Sequence, residues 1–135
     1  MYSTRIYYQD TDAGGVVYFA NYLKFFEKSW FEYLLSIGVS LTVWEDSGTY
    51  VMVKTAFIDL IQKLQYGDII DVRTTVKEVK NAYFVLEHRV LREMDIVTRG
   101  ETKMVCVDRS GKPKRIPEEF REKLILASKM GDGSE

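Results

Sequence analysis

Apolar residues between Tyr18 and Ile37 recur at helical steps: Leu23, Phe26, Trp30, Tyr33 or Leu34, and Ile37. Tyr22, Phe25, Phe31 and Leu35 widen that face and leave a narrow polar stripe, Lys24, Lys28 and Glu32. A helix this apolar is nearly surrounded by other structure. Gly38 supplies its stop, and residues 41–47 predict a short second helix. Strand patterns occupy most of the remainder. "YSTRIYY" predicts a first strand before the helix, and "YVMVKTAFIDLIQKL" a long one after it. Beyond a turn at Tyr66-Gly67-Asp68, "DIIDVRTTVKEV" alternates, with Ile70, Val72, Thr74, Val76 and Glu78 assigned to one face. "AYFVLEHRVLRE" and "DIVTRGETKMVCVDR" complete a meander through turns at Lys80-Asn81 and Glu93-Met94-Asp95. After a turn at Ser110–Pro113, Pro117 opens a last helix. Glu118 and Glu119 lie at its positive end, and Phe120, Leu124 and Ala127 point inward.

Long strands with short turns imply antiparallel pairing. The expected architecture is α+β, one curved antiparallel sheet of about five strands wrapped around a long central helix. Such a sheet leaves edges and a face to cover, which predicts oligomerisation. The 135 residues suit one domain, expected over 1–130 with 131–135 as a flexible tail. Apolar residues make up 46% of the chain, enough for a core. The 19 basic and 20 acidic residues are well mixed, so no field favours nucleic acid or an acidic membrane. No apolar run is long enough to span a bilayer, and the N-terminal residues lack a leader pattern. A cytoplasmic location is the expectation. The single Cys106, within "KMVCVD", reads as a buried, inert thiol. The single His88 reads as a packed or surface residue, and with no Cys/His cluster a protein-built metal site is not expected.

The densest chemistry lies in "DTDAGGVVY", residues 10–18. A calcium loop from Asp10 would need oxygen ligands at its fifth and twelfth positions, where Gly14 and Asn21 stand. An aspartyl-phosphate site would need a parallel sheet. Two readings stay open. Asp10 and Asp12 could simply shape a turn. Alternatively, the turn sets a carboxylate just before the amides that open a helix, which lack internal partners and carry partial positive charge. A carbonyl held by those amides could be attacked by the carboxylate or by water that it activates. A thioester suits such a site, since a thiolate leaves with little acid assistance (model thiol pKa about 8.5).

The stretch "YYQDTDAGGVVYFANYLKFFEKSWFEYL" resembles the 4-hydroxybenzoyl-CoA thioesterase-like family of hotdog-fold proteins, and within it the YbgC-type acyl-CoA thioesterases. The resemblance covers roughly residues 2–130. It implies hydrolysis of acyl-CoA to a carboxylic acid and CoA without a cofactor or metal. It also implies dimers, often paired into tetramers, with active sites at the dimer interface. Asp12 maps to the catalytic carboxylate, as nucleophile or general base, and Asp10 to a supporting position. The amide that polarises the carbonyl maps to Phe19, where many relatives carry histidine. Lys63 stands where relatives often have proline. Val16, Val17 and Tyr18 are the expected acyl-pocket residues. Lys112, Lys114 and Arg115 are the expected contacts for CoA phosphates, with Arg89, Arg92 and Arg99 as further candidates. An acyl carrier protein is an additional candidate partner. A hotdog hydratase would need a histidine paired with an acid, which isolated His88 does not offer. A non-enzymatic alternative is a scaffold that binds acyl thioesters or a carrier protein with little activity.

Overall fold

The computed structural model describes residues 1–130; the tail expected at 131–135 lies outside them. The described elements are β1 (Tyr2–Arg5), a 3₁₀ turn (Tyr8–Asp10), α1 (Asn21–Ser36), α2 (Leu41–Asp46), β2 (Tyr50–Leu60), β3 (Ile69–Val79), β4 (Tyr83–Arg92), β5 (Asp95–Val107) and α3 (Glu118–Lys129). The strands form one antiparallel sheet in the order β1-β3-β4-β5-β2. The expected α+β hotdog architecture is therefore present.

The meander holds for β3, β4 and β5. However, β2 does not pair with β3, its neighbour in sequence. It pairs with β5 on the opposite edge, from Tyr50↔Val107 to Leu60↔Thr98. Residues 61–68 make this crossing. Fully extended they reach about 26 Å, while three strand spacings amount to about 14 Å. Curling brings the two edges closer still. Because β2 and β3 carry no local signal of partner choice, alternation alone could not exclude the simpler meander.

Helix α1 buries Tyr22, Phe25, Phe26, Ser29 and Leu34. It begins at Asn21 rather than Tyr18, because the Tyr18 N–H is drawn back to the Asp10 carbonyl (3.3 Å). Leu23, expected on the apolar face, and Leu35 are exposed. The expected Gly38 stop is present, with Gly38 and Val39 N–H groups returning to Leu35 and Leu34 carbonyls. On β3, Ile70, Val72, Thr74 and Val76 face the core as expected. Glu78 does not. A bulge after Val76 shifts the phase, so Val79 packs against the core while Glu78 stays on the surface beside Lys80. Phe120, Leu124 and Ala127 of α3 are buried.

The core has two lobes. One, under the start of α1, includes Ile6, Val17, Tyr22, Phe26, Leu64 and Ile70. The other, under its end and α3, includes Leu34, Phe84, Leu86, Met104, Ile116 and Phe120. A buried polar belt lies between them. Ser29 Oγ meets Thr74 Oγ1 (2.7 Å), Thr74 Oγ1 meets His88 Nδ1 (2.9 Å), and His88 Nε2 meets Thr102 Oγ1 (2.9 Å). The Phe26 ring stacks on His88, centroids 4.5 Å apart. Only glycine fits beneath it, since a Cβ on Gly100 would come within 2.4 Å of the Phe26 ring. Burying an aromatic such as Phe26 contributes roughly 2–3 kcal/mol, and the belt fixes where along the sheet it sits.

Candidate active site

Residues 10–18 form a small hairpin. The Asp12 N–H donates to the Val16 carbonyl (2.8 Å) and the Gly15 N–H to the Asp12 carbonyl (3.0 Å). Thr11 bridges Val17. This is a three-residue hairpin loop whose bulge position must be left-handed, and Gly15 takes it with φ +82°. The turn carries the Asp12 carboxylate at the surface, where Oδ1 accepts the Gly14 N–H at 2.8 Å. Asp10 is used differently. Its Oδ2 accepts the Tyr7 N–H (2.8 Å), and its carbonyl accepts Asn21 Nδ2 (2.7 Å). Asp10 thus ties the 3₁₀ turn and the first residue of α1 to the hairpin.

The inner arm of the hairpin rests on the β2–β3 connection. The Val17 N–H donates to the Leu64 carbonyl (2.9 Å), and Val16 bridges Gln65. Residues 10–12, 16–18 and 64–65 thereby form a miniature three-stranded sheet. Val17 turns its side chain into the core, Val16 is half-buried, and Tyr18 is exposed. The chain then enters α1 through a tight turn, with Asn21 and Tyr22 N–H groups returning to Tyr18 and Phe19 carbonyls. Among the described residues, the Phe19 and Ala20 amides have no acceptor within the chain. They stand at the positive end of a 16-residue helix, suited to a developing oxyanion. The Phe19 side chain is exposed and packs against Tyr18, centroids 5.4 Å apart. Tyr8 and Tyr66 meet edge to face nearby, and Leu60 and Ile61 are exposed at the end of β2 and just beyond it.

The predicted basic contacts lie elsewhere. Lys112, Lys114 and Arg115 follow β5, on a loop closed back onto the end of β5 by a Val107–Pro113 bridge, and Lys114 Nζ donates to Thr49 Oγ1 (2.8 Å) just before β2. The Asp12 hairpin sits past the opposite end of β2. Within one chain, the 11 residues of β2, about 36 Å of fully extended strand, lie between the segment that seats the Asp12 hairpin and the basic loop. Asp108 organises the basic loop, its Oδ1 accepting from the Ser110 hydroxyl and from the Ser110 and Lys112 N–H groups; these bonds hold its pKa below the usual value, the Ser110 hydroxyl contributing most. Arg99 lines a cleft with Phe57, Asp59 and Glu87. Arg92 is bound to the β2–β3 connection, a role that sequence reasoning missed because its partners are far apart in the chain.

Cys106 and His88 lie apart from this site. Cys106 is buried, and burial pushes its thiol up to about 11. His88 is held in the polar belt, and burial lowers its pKa to about 3. Among the described residues, no group of three or more His, Cys, Asp or Glu side chains is gathered for a metal ion, and no helix is long and apolar enough to cross a membrane.

Comparison with known proteins agrees with this fold. The acyl-CoA thioesterase YbgC of Haemophilus influenzae is 38% identical over 122 residues, covering 89% of this chain and 90% of that protein. The crystal structure of a hypothetical protein from Aquifex aeolicus is 31% identical with a TM-score of 0.85, covering 91% of this chain and 97% of its own. A gentisyl-coenzyme A thioesterase structure is 25% identical with a TM-score of 0.84, covering 93% and 99%. The profile of the thioesterase-like superfamily matches residues 7–124, from the 3₁₀ turn that precedes Asp12 to the buried Leu124 of α3. With the hotdog topology, the match places this chain in the thioesterase-like superfamily.

Proposed function

We propose that the protein is an acyl-CoA thioesterase, hydrolysing R–CO–S–CoA to a carboxylic acid and CoA. The observation that carries this reading is the pairing of an exposed Asp12 carboxylate with unpartnered Phe19 and Ala20 amides at the head of α1. The relatives named for acyl-CoA and gentisyl-coenzyme A thioesterase activity support it. In this mechanism the Phe19 N–H donates to the thioester carbonyl oxygen. The Asp12 carboxylate either adds to the carbonyl carbon or takes a proton from the water that adds. The C–S bond breaks and the thiolate leaves. A mixed anhydride formed by the first route is then hydrolysed, regenerating Asp12.

The functional unit is a dimer built across β2. An 11-residue edge strand offers unpaired backbone groups, and Met52, Val53, Phe57 and Leu60 are exposed along it. A two-fold axis through its middle pairs β2 antiparallel with its copy. The start of the partner's β2 then lies beside the end of this chain's β2. That arrangement brings the partner's basic loop toward Asp12 and resolves the separation within one chain. Lys112, Lys114 and Arg115 would serve the CoA phosphates of the neighbouring subunit's site.

The test is free-thiol release from a panel of aliphatic and aromatic acyl-CoAs. Asp12→Asn is expected to lower kcat by roughly 10²–10⁴-fold. Equal release by both proteins would remove Asp12 from the reaction. Saturable binding with no release from any acyl-CoA would favour the scaffold reading, to which the apolar Phe19 side chain lends its support. A single turnover in ¹⁸O-water tests the first route: label in Asp12 indicates a nucleophile whose anhydride is opened at the Asp12 carbonyl, whereas label in the product acid alone places the water on the acyl carbon by either route.

A further inference from the structure

Arg92, the last residue of β4, gathers three acceptors on the connection between β2 and β3. Its Nη1 donates to Asp68 Oδ2 (2.9 Å) and to the Lys63 carbonyl (3.2 Å), and its Nη2 to Gln62 Oε1 (3.0 Å). Asp68 Oδ2 also accepts the Gln65 N–H at 2.9 Å. Both side chains are about three-quarters buried, at 27% and 26% exposure, so the pair is screened less than a surface ion pair.

The clamped connection is also the seat of the Asp12 hairpin. Leu64 and Gln65, within the clamped segment, hold Val17 and Val16. The Val16 carbonyl in turn accepts the Asp12 N–H. Asp68 and Gly67 are bonded to Ile6, which leads into the 3₁₀ turn before Asp12. The hairpin is therefore held from both of its ends by the segment that Arg92 grips.

We propose that Arg92 is a positioning residue for the reactive carboxylate. Its guanidinium fork fixes residues 62–68 in the shape that sets Asp12 against the amides at the head of α1. The inference rests on the thioesterase reading for the identity of the reacting group. Arginine suits this role because a planar fork can satisfy a carboxylate, a side-chain amide oxygen and a backbone carbonyl together, whereas an ammonium on a flexible stem cannot hold all three in fixed directions. Its guanidinium already holds protein acceptors, which separates it from the surface cations assigned to phosphate.

The experiment compares wild type, Arg92→Lys, Asp68→Asn and the double variant as full chains. It measures steady-state thiol release and amide hydrogen exchange. Arg92→Lys is expected to lower kcat by roughly ten- to a hundredfold with little change in KM or thermal midpoint. Exchange should quicken in residues 12–17 and 62–68 but not in the centres of β4 and β5. The double variant should lose little more than the worse single variant, because both remove one clamp. Unchanged kcat, a rise in KM alone, or unchanged exchange in residues 12–17 would overturn the proposal. If wild type releases thiol from no acyl-CoA, the functional reading fails separately, and the exchange comparison still decides whether Arg92 controls the hairpin.

Discussion

His88 shows how one residue can govern stability without touching the reaction. A neutral imidazole offers one donor and one acceptor, and the Thr74 and Thr102 hydroxyls can satisfy both by rotating. A protonated ring would need acceptors on both sides and would place a charge in the core. Burial accordingly lowers the His88 pKa to about 3 from its ordinary 6.5. The unfolded chain takes up this proton near pH 6.5 while the native chain refuses it until about pH 3. Native stability therefore falls with acidification through this window. The loss attributable to His88 should be about 2 kcal/mol between pH 7.5 and 5, before most carboxylates protonate. Urea midpoints across that range measure it, and His88→Gln should remove most of the slope. A stability profile equally steep in the variant would assign the effect to other groups.

Among the elements, the β4–β5 hairpin is locally strained. Arg92 pairs with Asp95, leaving a two-residue loop in which Glu93 (φ +52°) and Met94 (φ +75°) are both left-handed. Tight hairpins need that geometry to match the twist of their strands, and Asn-Gly adopts it far more readily. The double substitution Glu93→Asn with Met94→Gly is expected to raise stability by about 1 kcal/mol. A differential scanning measurement showing an unchanged or lower midpoint would refute this. The turn's position was readable from the polar break between two alternating runs, whereas its strain was not, since neither residue type signals positive φ. Alternation also identified the buried face of β3, but not the bulge that puts Val79 rather than Glu78 toward the core. Bulges arise from how two strands meet, and only the pair displays them.

For the whole molecule, the separation of Asp12 from Lys112, Lys114 and Arg115 makes a measurable demand. If the partner supplies the basic loop, a subunit with Asp12→Asn and one with Lys112, Lys114 and Arg115 changed to Ala should complement each other. Their mixed dimer contains one site with both defects and one with neither. It should recover up to about half of wild-type activity, measured by thiol release after co-expression and separation of the heterodimer. If both groups served a site within one chain, mixing would restore nothing.

The sequence by itself determined the order of the strands and helices, the greasy helix that organises the core, and a turn followed by a helix after Asp12, although α1 opens at Asn21 rather than Tyr18. These depend on period, glycine and local hydrogen bonding, which act over a few residues. The different roles expected of Asp12 and Asp10 came from the family resemblance rather than from any pattern, and in the structure Asp10 bonds to Tyr7 and Asn21 while Asp12 accepts from Gly14. Tertiary structure alone decided that β2 crosses to the far edge, that His88 and Ser29 meet in a buried belt, and that Arg92 grips the support of the Asp12 hairpin. It also set the basic loop at the opposite end of the strands. Each of these joins residues distant along the chain through directional bonds or packing. Such partners are selected when the sheet curls around its helix, and no short-range pattern encodes the choice.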